Sequence, residues 1–240
     1  MSWRIEQANP SALLRDLPDG LFQTGILRVP ADLPDPDVAS VLRKLHRVTR
    51  GDGTLWLLGA AHQSAALETG WHHPTGRRFH PRPPVQDSHR LLTVTLLAKR
   101  PQFYFNARLP LLAASRCSCE RSGSDRRAAH RRRAWCVPPV SRLESPQQLI
   151  AWCVQASTSP KACEFCGAPW RRGIQRVWLP SCEHRNGRGR CLVIDPFCGT
   201  GLSGVVSLLA GRGFLGIEHD PQLARCAQRR LATANWTTLR

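Results

Sequence analysis

The chain has 240 residues, 42% of them hydrophobic, and a formal net charge of +17 at neutral pH. That length suits one large domain, or one with a small insert, and the apolar content can fill a sizeable core, so disorder is not the default reading. No window holds the roughly 18 uninterrupted apolar residues that cross a bilayer, and the opening Met-Ser-Trp-Arg-Ile-Glu lacks the sections of a signal peptide.

A soluble, cytoplasmic protein with no membrane partner is therefore expected. The charge points to a polyanion, foremost nucleic acid. Of the 34 basic residues only Lys44, Lys99 and Lys161 are lysine. The arginine fork suits phosphate, although a GC-rich coding sequence produces the same bias. Ten cysteines in a reducing compartment read as metal ligands before disulfides.

Ala12, Leu13, Leu14 and Leu17 form an apolar helical run that stops at Pro18-Asp19-Gly20. Leu21 to Leu27 reads as a short strand. Asp37 is placed to cap a helix through Arg47, with Val38, Val41, Leu42 and Leu45 on its apolar face and His46 on its surface. Gly51-Asp52-Gly53 marks a turn, and Thr54 to Gly59 a buried strand. Residues 70–86, rich in His, Pro and Arg, read as loop, and Leu91 to Ala98 and Gln102 to Asn106 as strands. Between Arg116 and Arg133 apolar periodicity gives way to clustered arginines, as apt for a solvated linker as for phosphate contact. Ser145-Pro146 opens a helix over Gln147 to Gln155. Cys153 and, further on, Cys226 read as core positions on helix faces.

A cysteine-rich segment follows. Cys163-Glu-Phe-Cys166-Gly sets two thiolates on a tight turn, and Cys182 and His184 come later. Cys163, Cys166 and Cys182, with His184 or alternatively Cys191 as fourth ligand, suit a structural, four-coordinate zinc. The segment is too short for a core of its own, so metal would supply its folding energy.

The most informative run is Cys191-Leu-Val-Ile-Asp195-Pro-Phe197-Cys198-Gly199-Thr200-Gly201, continuing through a helix to Gly-Ile-Glu218-His-Asp220. A buried strand ends at an acid, a glycine turn follows, then an apolar helix and a second strand ending at another acid. Glycines let backbone approach a ligand, the helix start offers free N–H groups, and an acid closing the second strand suits ribose hydroxyls. Cys198 reads as packing within the turn.

Asp-Pro-Phe-x-Gly-Thr-Gly with Gly-Ile-Glu-x-Asp downstream resembles the S-adenosylmethionine motif of DNA amino-methyltransferases. Its C-terminal place resembles their permuted, beta-type order, in which the catalytic half precedes the cofactor half. The resemblance extends over most of the chain and is poorest around residues 60–87. It implies an α/β, Rossmann-like methyltransferase fold in permuted order, of seven strands, with a small zinc-knuckle insert. Within one domain over 1–240, residues 1–110 would form the catalytic half and 111–134 a basic loop or reduced target-recognition insert. Residues 161–191 would form the knuckle and 192–240 the cofactor motif. Phe197, Gly199 and Gly201 would shape the pocket, Glu218 would hold the ribose and Asp195 the methionine end, with Thr200 and Asp220 also counted as cofactor-binding.

The resemblance further implies methyl transfer from S-adenosylmethionine to an exocyclic amine of cytosine or adenine in DNA. The family performs it with Asp, Asn or Ser, then Pro-Pro, then an aromatic, on a base flipped from the duplex. The corresponding residues here are Arg28-Val29-Pro30-Ala31, of which Pro30 alone matches. Arginine accepts no hydrogen bond from the target amine. Three readings follow: a catalytically impaired DNA-binding relative, a displaced acceptor such as Asp32 or Asp35 with Phe22 or a tryptophan stacking, or a loop supplied by a partner chain. Neither a homodimer nor a cognate restriction enzyme is determined by the sequence.

Overall fold

The structure, a computed structural model, describes residues 3–59, 62–74, 94–106, 146–173 and 177–234. Expectations that fall on Arg116 to Arg133, on 111–134 and on 75–93 lie outside the described residues.

The described chain runs β1 (Trp3–Gln7), α1 (Pro10–Asp16), β2 (Phe22–Leu27), α2 (Asp35–Val48), β3 (Thr49–Leu58), α3 (Gln63–Glu68), β4 (Val94–Ala98) and α4 (Pro146–Ser157). A hairpin of β5 (Arg171–Arg172) and β6 (Trp178–Leu179) precedes β7 (Leu192–Asp195), α5 (Leu202–Leu209), β8 (Gly213–Glu218) and α6 (Pro221–Thr233). Six strands form one sheet in the order β1-β8-β7-β2-β3-β4. All neighbours run parallel except β4, which is antiparallel to β3.

Successive side chains of a strand point to opposite faces, and here both faces are covered. Ile26, Trp56, Val193 and Phe214 join Leu149, Val154, Val206 and Leu231 on the side of α4, α5 and α6. Leu27, Leu57, Ile194 and Ile217 join Leu14, Val41, Leu42 and Leu45 on the side of α1 and α2. Each such fully buried aliphatic side chain contributes about 1.5–3 kcal/mol of transfer free energy. The result is a three-layer α/β/α fold, with β2 buried at all six positions as a strand covered on both faces must be.

Several local expectations are corrected. Residues 102–106 form no strand; six strands of the expected seven lie among the described residues. α2 begins at Asp35, two residues before Asp37, because Pro34 stands at its N-cap and Pro36 suits its first turn. The Gly51-Asp52-Gly53 segment is a bulge inside β3: Phe22 is in register with Thr49, yet Thr24 with Thr54. Gln23 Nε2 donates to Asp52 O at 3.1 Å across it. Gly53 is required there, since a Cβ would lie 2.8 Å from Gln23 O. His46 is half-buried, edge-on to Trp71 at 5.2 Å, and burial and the nearby Lys99 charge lower its pKa. Cys153 is buried, but Cys226 is exposed on α6.

No helix among the described residues is long and apolar enough to cross a membrane.

Candidate cofactor and metal sites

β7 and β8 are parallel neighbours, with Asp195 in register with Gly216, so Asp195 and Glu218 end adjacent strands at one edge of the sheet. The turn between β7 and α5 closes on both acids. Gly199 N donates to Glu218 Oε2 at 2.9 Å, and Asp220 N to Glu218 Oε1 at 3.0 Å. Phe197 N donates to Asp195 Oδ1 at 3.1 Å, and Ser203 Oγ to Asp195 Oδ2 at 2.5 Å. Burial, opposed by those hydrogen bonds and reinforced by the Glu218 charge, pushes the Asp195 carboxyl up to about 6.

Two glycines of the turn adopt left-handed backbone for different reasons. Gly201 (φ +79°) lies against α6, where a Cβ would meet Leu231 Cδ1 at 2.9 Å and Ala227 Cβ at 3.0 Å. Gly199 (φ +52°) faces open space, with nothing within 4 Å of a Cβ. Backbone is thus presented bare to a volume bordered by two carboxylates. A carboxylate has about four acceptor positions; Glu218 spends two on backbone N–H groups and has His219 Nδ1 3.3 Å from its Oε1, which leaves acceptor capacity for a ligand hydroxyl. The arrangement fits the adenosine of S-adenosylmethionine.

The other positions divide. Phe197 is half-buried against the core on the α1–α2 side. Thr200 Oγ1 accepts from Arg230 Nη1 at 3.1 Å. Asp220 caps α6, its Oδ1 accepting from Gln222 N at 2.7 Å and Leu223 N at 2.9 Å; those bonds lower its pKa. Cys198 is buried, its thiol pushed up by burial, and its Sγ lies 2.8 Å from where a Gly216 Cβ would stand. Ser203 was not foreseen; its position two residues after the second glycine, on the first turn of a helix, is the signal that would have found it.

β2 lies on the other side of β7, Gly25 being in register with Ile194. Leu27 therefore delivers Arg28, Val29, Pro30 and Ala31 to the same edge as Asp195. Arg28, Ala31, Asp32 and Asp35 are exposed, and Val29 and Pro30 partly covered. Asp35 Oδ1 lies 3.6 Å from His62 Nδ1. Phe22 is not available for stacking: it is 1% exposed and starts β2 at the opposite edge. Tyr104, the chain's one tyrosine, is also tied to that opposite edge, donating its N–H to Asp52 O at 2.9 Å. Trp56 is buried and donates Nε1–H to Ser157 Oγ at 2.5 Å.

The ligand atoms of Cys163, Cys166, Cys182 and His184 lie within 4.8 Å of one another. Zinc–sulfur bonds of about 2.3 Å in tetrahedral geometry set sulfurs about 3.8 Å apart, so three thiolates and an imidazole at this spacing fit zinc. Cys191 stands apart from that group, buried beside β7, and burial pushes its thiol up to about 11. The knuckle is fastened to the sheet by Arg50, whose Nη1 donates to Cys166 O at 2.6 Å and whose Nε donates to Asp52 Oδ1 at 3.2 Å.

No protein-family model and no curated protein sequence matches the chain. Solved structures do. A putative DNA modification methylase from Thermus thermophilus is 18% identical over 95% of this chain and 94% of that one, with a TM-score of 0.56. Its complex with S-adenosyl-L-methionine gives a TM-score of 0.53 at 18% identity over 97% and 95% of the two chains. The cytosine-N4-specific PvuII DNA methyltransferase is 13% identical over 100% of this chain and 90% of that one, with a TM-score of 0.56. At such identities the likeness is one of fold, and the fold of this chain is theirs.

Proposed function

We propose that the chain binds S-adenosylmethionine at the β7–β8 edge and DNA beside it, as a DNA amino-methyltransferase of permuted order directed at cytosine N4 or adenine N6. The observation that carries this reading is the bare Gly199 backbone between Asp195 and Glu218, on a fold shared with DNA methylases. The donor would supply an electrophilic sulfonium methyl. Glu218 would accept from ribose hydroxyls, Asp195 would face the methionine end, and Phe197 would wall the pocket. We assign this activity to the cytoplasm, with DNA as partner.

Transfer to an exocyclic amine forms a nitrogen–carbon bond, breaks a sulfur–carbon bond and releases a proton from the nitrogen. A group at the β2 edge must hold the amine and accept that proton. The Arg28 side chain has no acceptor, which favours a second reading: a relative that keeps the pocket and contacts DNA while transferring poorly. Asp32 and Asp35 are the nearby carboxylates left to substitute. Tritiated methyl incorporation into mixed-sequence DNA tests the choice. Incorporation lost in Glu218→Ala and in Asp32→Asn supports transfer through a displaced acceptor. Donor binding by calorimetry without incorporation supports the second reading, and no donor binding by folded protein overturns both.

A further inference from the structure

Opposite the β7–β8 acids, the knuckle borders a cleft of about 740 Å³ at the edge where β7 and β8 begin. Its lining includes Arg50, Phe165, Arg188, Arg190, Leu192 and Gly213. The surface around it is predominantly basic: Lys161, Arg171, Arg172, Arg185, Arg188 and Arg190 are exposed, against Glu164 and Glu183 in the described insert and Asp19, paired with Arg47, on the facing wall. Among the described residues no ion pair joins Arg185, Arg188 or Arg190 to a carboxylate. Phe165 stands 73% exposed on the turn between two of the thiols.

We infer that this knuckle cleft is a second DNA-contact face, which grips backbone phosphates at the sheet edge opposite the methyl-donor pocket. Three observations converge. First, cationic forks without carboxylate partners are what a phosphate run neutralises, with release of counterions. Second, the arginines sit on a rigid support. A Cβ at Gly187 would lie 2.8 Å from the Trp170 ring, and one at Gly189 would lie 2.7 Å from Cys163 O, so Arg188 is flanked by backbone packed onto the knuckle. Third, Arg50 binds the knuckle to β3, so a strand of DNA held there is held by the whole domain.

The sheet separates this face from Asp195 and Glu218. The contact therefore engages a different stretch of duplex from the one presenting a target base, and raises the local concentration of DNA at the donor edge. The inference shares DNA with the proposed function and is independent of methyl transfer.

The test is fluorescence anisotropy of a mixed-sequence duplex against salt, using metal-replete full chain. Variants are Arg188→Ser/Arg190→Ser and, as a charge-matched control, Arg15→Ser/Arg43→Ser on the α1–α2 layer. Each lost phosphate contact reduces the log–log salt slope by about 0.9 and affinity at 0.1 M salt by about eightfold. The knuckle double variant should thus lose about 60-fold in affinity and about 2 in slope. Its zinc content, thermal melting and donor affinity should match the parent, and the control should bind as the parent does. Glu218→Ala should keep the knuckle-dependent slope. Equal losses in both double variants mean only diffuse charge and overturn the assignment, as does no loss in either. Tighter binding of RNA through the same arginines overturns the choice of DNA. Loss of donor binding with the knuckle slope intact counts against the proposed function alone.

Discussion

Gly199 N–H donates to Glu218 Oε2 at 2.9 Å, which ties the turn after β7 to the acid that ends β8. The same carboxylate accepts from Asp220 N at 3.0 Å. One side chain thus holds the turn, the entry to α6 and the proposed ribose contact together. Glu218→Ala should cost about 1–3 kcal/mol of stability from the freed N–H groups, read by denaturant unfolding. It should also abolish donor binding in calorimetry, while Glu218→Gln recovers most of the stability.

The two left-handed glycines should respond differently to alanine. At Gly201 the strained φ adds to contact with Leu231 and Ala227, so Gly201→Ala should destabilise by roughly 2–4 kcal/mol. At Gly199 the backbone term stands alone, about 1–2 kcal/mol. The new methyl enters the open volume, and donor affinity should fall roughly tenfold or more. Melting curves and calorimetry on the pair separate the effects; equal donor affinity in Gly199→Ala and the parent would place the ligand elsewhere.

Asp195 gives a pH dependence of definite sign. Its carboxyl is raised from 3.8 to about 6 by burial, so folding favours the protonated form. That favourable contribution is complete below the unfolded value and disappears as pH climbs through the folded one. Asp195→Asn cannot ionise. Relative to the parent it should gain about 1.5 kcal/mol on going from about pH 5 to pH 8. Urea melts at the two pH values check this, and a constant difference contradicts it.

The metal site is tested by stoichiometry. The purified chain should carry one zinc, released on chelation together with the insert's protection from proteolysis. Cys163→Ser or Cys182→Ser should weaken zinc by roughly two orders of magnitude or more, and Cys191→Ser should leave it bound.

At the β2 edge, Arg28→Asn supplies the missing hydrogen-bond acceptor and should raise methyl incorporation into DNA roughly tenfold or more. An unchanged rate means that position 28 does not face the amine.

How much of this was legible depended on the range of the interactions. The run from Leu192 to Asp220 is local: strand, turn, helix and strand succeed one another within thirty residues, each signalled by its own glycines, acids and apolar period. The parallel order and the two-sided burial follow from it, and the α/β fold was read correctly. The bulge of β3 was not, because whether Gly51 to Gly53 turns or loops out within a strand is decided by Gln23 reaching Asp52 O across 3.1 Å. α3, six residues behind a His62 at φ +68° with no side-chain cap, carries no start signal. The two-residue strands β5 and β6 are too short for any period. Phe22 looked available from its neighbours, and only the direction of β2 shows that it lies buried at the far edge. The clustering of Cys163, Cys166, Cys182 and His184 could be posed from spacing, but the setting of Cys191 against β7 is a tertiary fact.

Among the described residues β1 is an outermost strand whose one strand partner is β8, Trp3 lying opposite Phe214 and Gln7 opposite Glu218. β1 therefore stays unmated during synthesis until some two hundred more residues, up to β8, have been made. Such distant pairing folds slowly and leaves an adhesive edge exposed in the meantime. A nascent chain of this design cannot complete its sheet half by half, because the first strand has its neighbour only once β8 emerges.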